Sequence, residues 1–147
     1  GAASEALDAA VRVANVWRAV GCDLIFTTPA RHDALAAAIS HLPHFAAVAL
    51  AAAVRASGET PELLRAVAGN GFRDTTRVAA GDPVMWRDVF LNNREAVLEV
   101  LGRFSEDLAG LQRAIRWGDG KTLYELFDRA RRMRREVLSV AALSHPT

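Results

Sequence analysis

Residues 28–56 read TPARHDALAAAISHLPHFAAVALAAAVRA, and this stretch decides the fold. Thr28 followed by Pro29 is an N-cap with proline at the first helical position, where an amide hydrogen has no intrahelical partner to lose. A long helical segment follows to about Ala56. Its second half, Phe45 to Val54, is apolar on every face, so it is expected to be buried all round, either centrally or in a subunit interface. Midway, Ser40, His41, Leu42, Pro43 and His44 form the densest polar cluster on this otherwise apolar helix. Pro43 is expected to kink the helix and free carbonyl groups of the preceding turn near both imidazoles.

Upstream, Ser4 to Val20 is an amphipathic helix with Leu7, Ala10, Val11, Ala14 and Trp17 on one face, ended by Gly21. Cys22 to Thr27, with Leu24, Ile25 and Phe26, suits a short buried strand, the only convincing one in the chain. A lone strand cannot satisfy its own backbone groups, so it is expected to be disordered or to pair with another copy, and it marks the chain as incomplete. Gly1 in place of a starting methionine favours the same reading.

Downstream, Thr60 and Pro61 repeat the cap signal for a short helix through Val67. Gly69 to Gly71 break the pattern, and Asp82 with Pro83 opens a helix carrying Met85, Trp86, Val89 and Phe90. From Asn93 to Trp117 the positions Val97, Leu101, Phe104, Leu108, Leu111 and Ile115 alternate four and three apart, a coiled-coil-like seam. Gly118 and Gly120 flank the turn into a last helix with Leu123, Leu126, Phe127, Ala130, Met133 and Val137 on one face. The expected fold is therefore all-α, a bundle of about five or six helices preceded by one helix and one short strand.

With 147 residues, 51% hydrophobic, 24% charged and a formal charge of +1, the composition is that of one globular domain and not of a disordered chain. The lone Cys22 allows no internal disulfide, which fits a reducing cytoplasm and removes cysteine-only metal clusters. The longest unbroken apolar run falls short of the ~20 residues of a membrane span, and no secretory signal opens the chain. A cytoplasmic location is expected, with no membrane or nucleic-acid partner. All but one of the 18 basic residues are arginine, Lys121 being the exception. The run Arg129, Arg131, Arg132, Arg134, Arg135 is flanked by Asp128 and Glu136 late in a helix, which suits a solvated face better than a nucleic-acid contact.

Two constellations can carry chemistry. His41 and His44 are either core-edge histidines satisfied by carbonyls, or a substrate pocket in which a neutral imidazole makes one hydrogen bond. A metal site is disfavoured because no carboxylate or cysteine stands at a ligand spacing. In the segment 69–77, glycines around Asn70 permit close approach of the main chain to a ligand, but the third glycine of a dinucleotide fingerprint is missing and no strand precedes it. Arg73 and Arg77 could each hold a carboxylate in a two-pronged bond or pair within the chain with Asp74 or Asp82.

Ser-His-Leu-Pro-His at 40–44, Gly-Phe-Arg-Asp-Thr-Thr-Arg at 71–77 and Asp-Pro-Val-Met-Trp at 82–86 resemble, in order and spacing, the prephenate and arogenate dehydrogenases. The tail from Trp86 through Asn93 into Ala114-Ile115-Arg116-Trp117-Gly118-Asp119 is similar to the cyclohexadienyl branch. The resemblance implies an enzyme that oxidatively decarboxylates prephenate or arogenate on the route to tyrosine, passing hydride to NAD or NADP. It implies that the chain is the C-terminal part of such an enzyme, with residues 1–28 a remnant of the nucleotide-binding Rossmann domain and residues 29–147 the helical substrate-binding and dimerisation domain. The catalytic histidine and the cofactor site then belong to the domain that is missing, and the chain alone is inactive.

On the same resemblance Arg77 is the substrate-binding arginine, Ser40, His41 and His44 contact substrate or the nicotinamide end of the cofactor, and Trp86 is a pocket aromatic. Met85 reaches the neighbouring subunit's site, Arg73 and Asp74 form an ionic pair at the pocket mouth, and tyrosine is a candidate inhibitor. Arg73 stands where many members have lysine. No metal and no cofactor are expected on this chain by itself. The alternative is a free-standing helical dimer or tyrosine-sensing module descended from that enzyme.

Overall fold

A computed structural model describes residues 2–141; Gly1 and the end of the expected second domain, residues 142–147, lie outside the described residues. The helices are α1 (Ala2–Ala19), α2 (Pro29–Ala36), α3 (Leu42–Arg55), α4 (Pro61–Val67), α5 (Asn70–Thr76), α6 (Pro83–Asn92), α7 (Arg94–Arg116) and α8 (Gly120–Ala141). Their starts follow the cap signals. The side chains of Thr28, Thr60 and Asp82 accept from the amides of Arg31, Leu63 and Met85, each with proline in the next position. Two of the breaks are glycines in the left-handed region: Gly21 at φ +85° and Gly118 at φ +63°. Behind each, the chain closes a 6→1 bond, from Cys22 to the Trp17 carbonyl and from Asp119 to that of Ala114.

The helices α2 and α3 are halves of one run, Pro29–Arg55, joined by a π-turn at Ala37–His41. Pro43 accounts for that turn. Its ring would collide with the Ile39 carbonyl and it has no hydrogen to give it, so the chain widens by one residue just before, and the Leu42 amide reaches back to Ala37. Taken as one run, this helix is long and apolar enough to cross a membrane, with a mean hydropathy of 1.6 over its most apolar window. The expectation drawn from unbroken apolar runs missed this, because Pro43 and the two histidines interrupt the apolar letters without ending the helix.

The π-turn and α2 pack on α7, α3 packs on α5 and on the 3-10 turn Arg77–Ala80, and α8 folds back along α7. Ala37 and Ala47, each 1% exposed, let backbones approach closely, and Val97 and Ala114 of α7 are the other buried apolar positions in this part of the chain. The expected strand is not formed. Residues 22–28 run without regular structure, because no second strand exists among the described residues to accept its ladder bonds. Instead Leu24, Ile25 and Phe26 lie along Ala10, Val13, Ala14 and Trp17 of α1.

Much apolar surface is left uncovered. The accessible surface is 12069 Å², whereas a compact monomer of this mass exposes about 7,400 Å². Of the two ways in which the apolar half of α3 is expected to be buried, central burial is not what forms: Phe45, Val48 and Leu50 are all exposed in the single chain. The heptad seam is covered at Val97 but open at Leu108 and Ile115, and on α8 Phe127, Met133 and Val137 face outward. Such a stripe is apolar surface that the single chain leaves open to water.

Candidate functional site

Site geometry starts from the widened turn. His41 closes the π-turn and His44 lies in the first turn of α3, and both are buried, at 9% and 7% exposure. Helix α6 brings Trp86 and Phe90 against them. The His44 ring lies flat on Trp86, with centroids 3.6 Å apart and planes 10° from parallel. His41 meets Trp86 edge to face at 6.4 Å and Phe90 at 6.0 Å. Gly81 makes room for the indole, since a Cβ there would stand 2.6 Å from Trp86 Nε1. Its backbone is ordinary extended chain, at φ −64° and ψ 163°, so space and not conformation demands glycine there.

Burial pushes both imidazoles below their ordinary value of 6.5; for His41 the Asp33 carboxylate works against burial and His32 works with it. Both rings are therefore neutral near pH 7. His41 Nδ1 lies 3.3 Å from the side-chain nitrogen of Asn93, while His44 Nδ1 is buried with no hydrogen-bond partner. Core-edge histidines satisfied by freed carbonyls are thus not what forms here. No group of three potential metal ligands occurs among the described residues.

The other expected site residues fall around this cluster unevenly. Ser40 is exposed in the π-turn, and Met85, beside Trp86, is 51% exposed. Arg77 opens the 3-10 turn that packs on α3, is exposed, and forms no ion pair among the described residues. The ionic pair of Arg73 with Asp74 is not formed. Arg73 Nε donates to the Ala68 carbonyl at 3.1 Å, which turns the guanidinium toward the α4–α5 connection. There Arg73 borders a separate cleft of about 780 Å³ between Val54, Leu64 and Phe72. The basic run on α8 is exposed, and Arg132 pairs with Asp128 at 3.3 Å, a solvated face. Sequence reasoning missed Asn93, Phe90 and Gly81 as site residues. Only the helix-breaking position of Asn93 and the glycine before the Asp82 cap could have signalled two of them.

The fold and this geometry define a helical domain with an uncovered apolar stripe and a two-histidine cluster walled by aromatics. Comparison with known proteins makes the class specific. Residues 28–129 match the family described as prephenate dehydrogenase, dimerization domain, and the chain belongs to that family. It is 37% identical over 125 residues to the cyclohexadienyl dehydrogenase of Zymomonas mobilis, covering 83% of this chain and 42% of that protein. With the prephenate dehydrogenase of Bacillus subtilis it shares 28% over 117 residues, covering 80% of the chain and 32% of the relative. The chain therefore spans less than half the length of these relatives.

Among solved structures, Aquifex aeolicus prephenate dehydrogenase in complex with hydroxyphenyl propionate and NAD+ superposes with a TM-score of 0.76 at 36% identity, covering 85% of this chain and 44% of that one. Synechocystis arogenate dehydrogenase gives 0.76 at 29% identity, covering 88% and 48%.

Two outcomes test the site. Because the folded imidazoles titrate below 6.5, the unfolded chain takes up protons first; their contribution to stability is full above that pH and is lost as pH falls beneath it. The urea midpoint should drop between about pH 7.5 and about pH 5.5, and drop less in His41→Gln/His44→Gln. An equal drop in both proteins assigns it to carboxylates instead. Gly81→Ala, in a Trp17→Phe/Trp117→Phe background, should shift Trp86 emission to the red as the indole is pushed off His44; unchanged emission would contradict the close packing.

Proposed function

We propose that this chain is the substrate-binding and dimerisation part of an NAD- or NADP-dependent prephenate or arogenate dehydrogenase. The observation that carries this is the convergence on α3 of two neutral buried imidazoles, a stacked tryptophan and the turn that bears an unpaired arginine, in a chain of the prephenate dehydrogenase family. Residues 1–28 are assigned to a nucleotide-binding domain and 29–147 to the helical domain. The separate apolar cluster of α1 with Leu24 to Phe26 supports that division. The protein is assigned to the cytoplasm.

Prephenate carries two carboxylates on a cyclohexadiene ring. Arg77, whose guanidinium pairs with no carboxylate among the described residues, holds one of them. It acts mainly by positioning, because gripping the departing carboxylate more tightly in the ground state than in the transition state would slow its loss. In the reaction, hydride leaves the hydroxyl-bearing ring carbon, the hydroxyl proton passes to a base, and carbon dioxide departs as the ring becomes aromatic. His41, His44 and Ser40 contact the substrate or the nicotinamide end of the cofactor, Trp86 walls the ring, and Met85 extends toward the neighbouring subunit.

No strand, glycine loop and helix unit that would hold a dinucleotide diphosphate occurs among the described residues, so the residues present do not fit the cofactor by themselves. A nicotinamide cofactor held by the nucleotide-binding domain supplies the hydride acceptor. The base is assigned to that domain too, since burial keeps His41 and His44 poor proton acceptors. Tyrosine, which shares the ring and one carboxylate, is a candidate inhibitor of the same site.

With the chain joined to a nucleotide-binding domain of its family, and prephenate and arogenate supplied separately, Arg77→Ala should lose ~3 kcal/mol of transition-state stabilisation, mostly as raised KM. Unchanged kcat/KM would reject its role. The apolar stripe is assigned to a second copy of the chain. Sedimentation should give a dimer, and Phe127→Glu/Val137→Glu on α8 should give monomers; a wild-type monomer would refute the homodimer.

A further inference from the structure

The Asn93 side chain joins two distant parts of the chain through a single atom. Its Nδ2 lies 2.8 Å from the backbone carbonyl of Asp33 and 3.3 Å from His41 Nδ1. A backbone carbonyl only accepts, so it decides which end of the amide is nitrogen; the reversed amide would set oxygen against oxygen. One hydrogen of the amide group serves Asp33. The other faces His41 Nδ1, which must then accept with its lone pair. The ring proton is left on Nε2, which makes no hydrogen bond within the described residues and is not sealed from solvent.

We propose that Asn93 is a positioning residue whose amide holds His41 as the neutral tautomer protonated on Nε2, so that this imidazole meets its ligand as a hydrogen-bond donor. The matching ligand group is an oxygen with no proton to give, a carboxylate or a keto group. The contact with substrate rests on the functional reading above, whereas the tautomer rests on the Asn93 geometry alone. The backbone explains the placement. Asn93 is the one residue between α6 and α7, at φ −107° and ψ 33°, and its non-helical backbone turns the amide back toward α2.

The surroundings favour the same state. Protonating Nδ1 would set two N–H groups against each other, in addition to the cost of burying charge. On α2, the Asp33 carboxylate favours a charged ring and His32 opposes it. From α6 come the neutral rings of Trp86 and Phe90, and on α3 the buried His44 follows one turn later.

The test is the nitrogen spectrum of the histidine rings in this chain near pH 7.5, with His41 identified by its loss in His41→Gln. Wild type should show His41 protonated on Nε2 only. In Asn93→Leu the two tautomers should mix. In Asn93→Asp the carboxylate should accept from Nδ1, and the His41 titration should move to higher pH. A wild-type ring protonated on Nδ1, or wild-type His41 signals in both variants, would overturn the proposal. If Asn93→Asp does not fold, the wild-type tautomer and Asn93→Leu decide. In the joined enzyme, Asn93→Leu should raise KM for prephenate several-fold. A tautomer lost without change in KM would refute the substrate contact of His41 and leave the Asn93 contact standing.

Discussion

The missing amide hydrogen of Pro43 is the constraint on which the site depends. An ordinary α-helix through Ile39 and Pro43 would set the proline ring against the Ile39 carbonyl, and the π-turn at Ala37–His41 relieves that clash by adding a residue to one turn. The inserted residue rotates everything before it relative to α3. It is what lets α2 and the π-turn lie on α7 while α3 lies on α5 and the 3-10 turn. His41 and His44, on either side of Pro43, then face the same pair of α6 aromatics.

That cluster is held by desolvation and aromatic contact, not by ion pairs. Both histidines are neutral because charge is costly where they sit. The ion pairs among the described residues are elsewhere, on exposed helix faces where each contributes little to stability. Arg77 stands apart from them, exposed at the start of the 3-10 turn that packs on α3.

The uncovered surface belongs to the same design. A helix as apolar as Pro29–Arg55 is stable in water only when its outer face is covered, and within one chain Phe45, Val48 and Leu50 stay exposed. The α7–α8 hairpin presents a second exposed row, from Leu108 and Ile115 to Phe127 and Val137. The site and the apolar surface share the α2–α3 helix, so anything that covers one face of it also sets the position of the residues on the other.

Much of this was legible in the sequence. Thr28-Pro29, Thr60-Pro61 and Asp82-Pro83 start helices where they stand because a cap bond spans only three residues, and Gly21 and Gly118 end helices through a local backbone preference. The 40–44, 71–77 and 82–86 motifs pointed to the prephenate dehydrogenase family for the same reason: residue type and spacing are carried by the chain itself. The strand at 22–27 and the Arg73–Asp74 pair were misjudged because each depends on a partner, a second strand or the direction of a long side chain, and which of the two expected ways of burying α3 applies depends on another surface in the same way. The tautomer of His41 was beyond reach altogether. It hangs on Asn93, 52 residues away, and on a carbonyl 60 residues from that amide. The sequence by itself determined where helices begin and end and which residues are available for chemistry, since those follow from contacts within a turn or two. Only the tertiary structure decided which side chains meet and in what protonation state, because burial and long-range hydrogen bonds exist only once distant segments have packed.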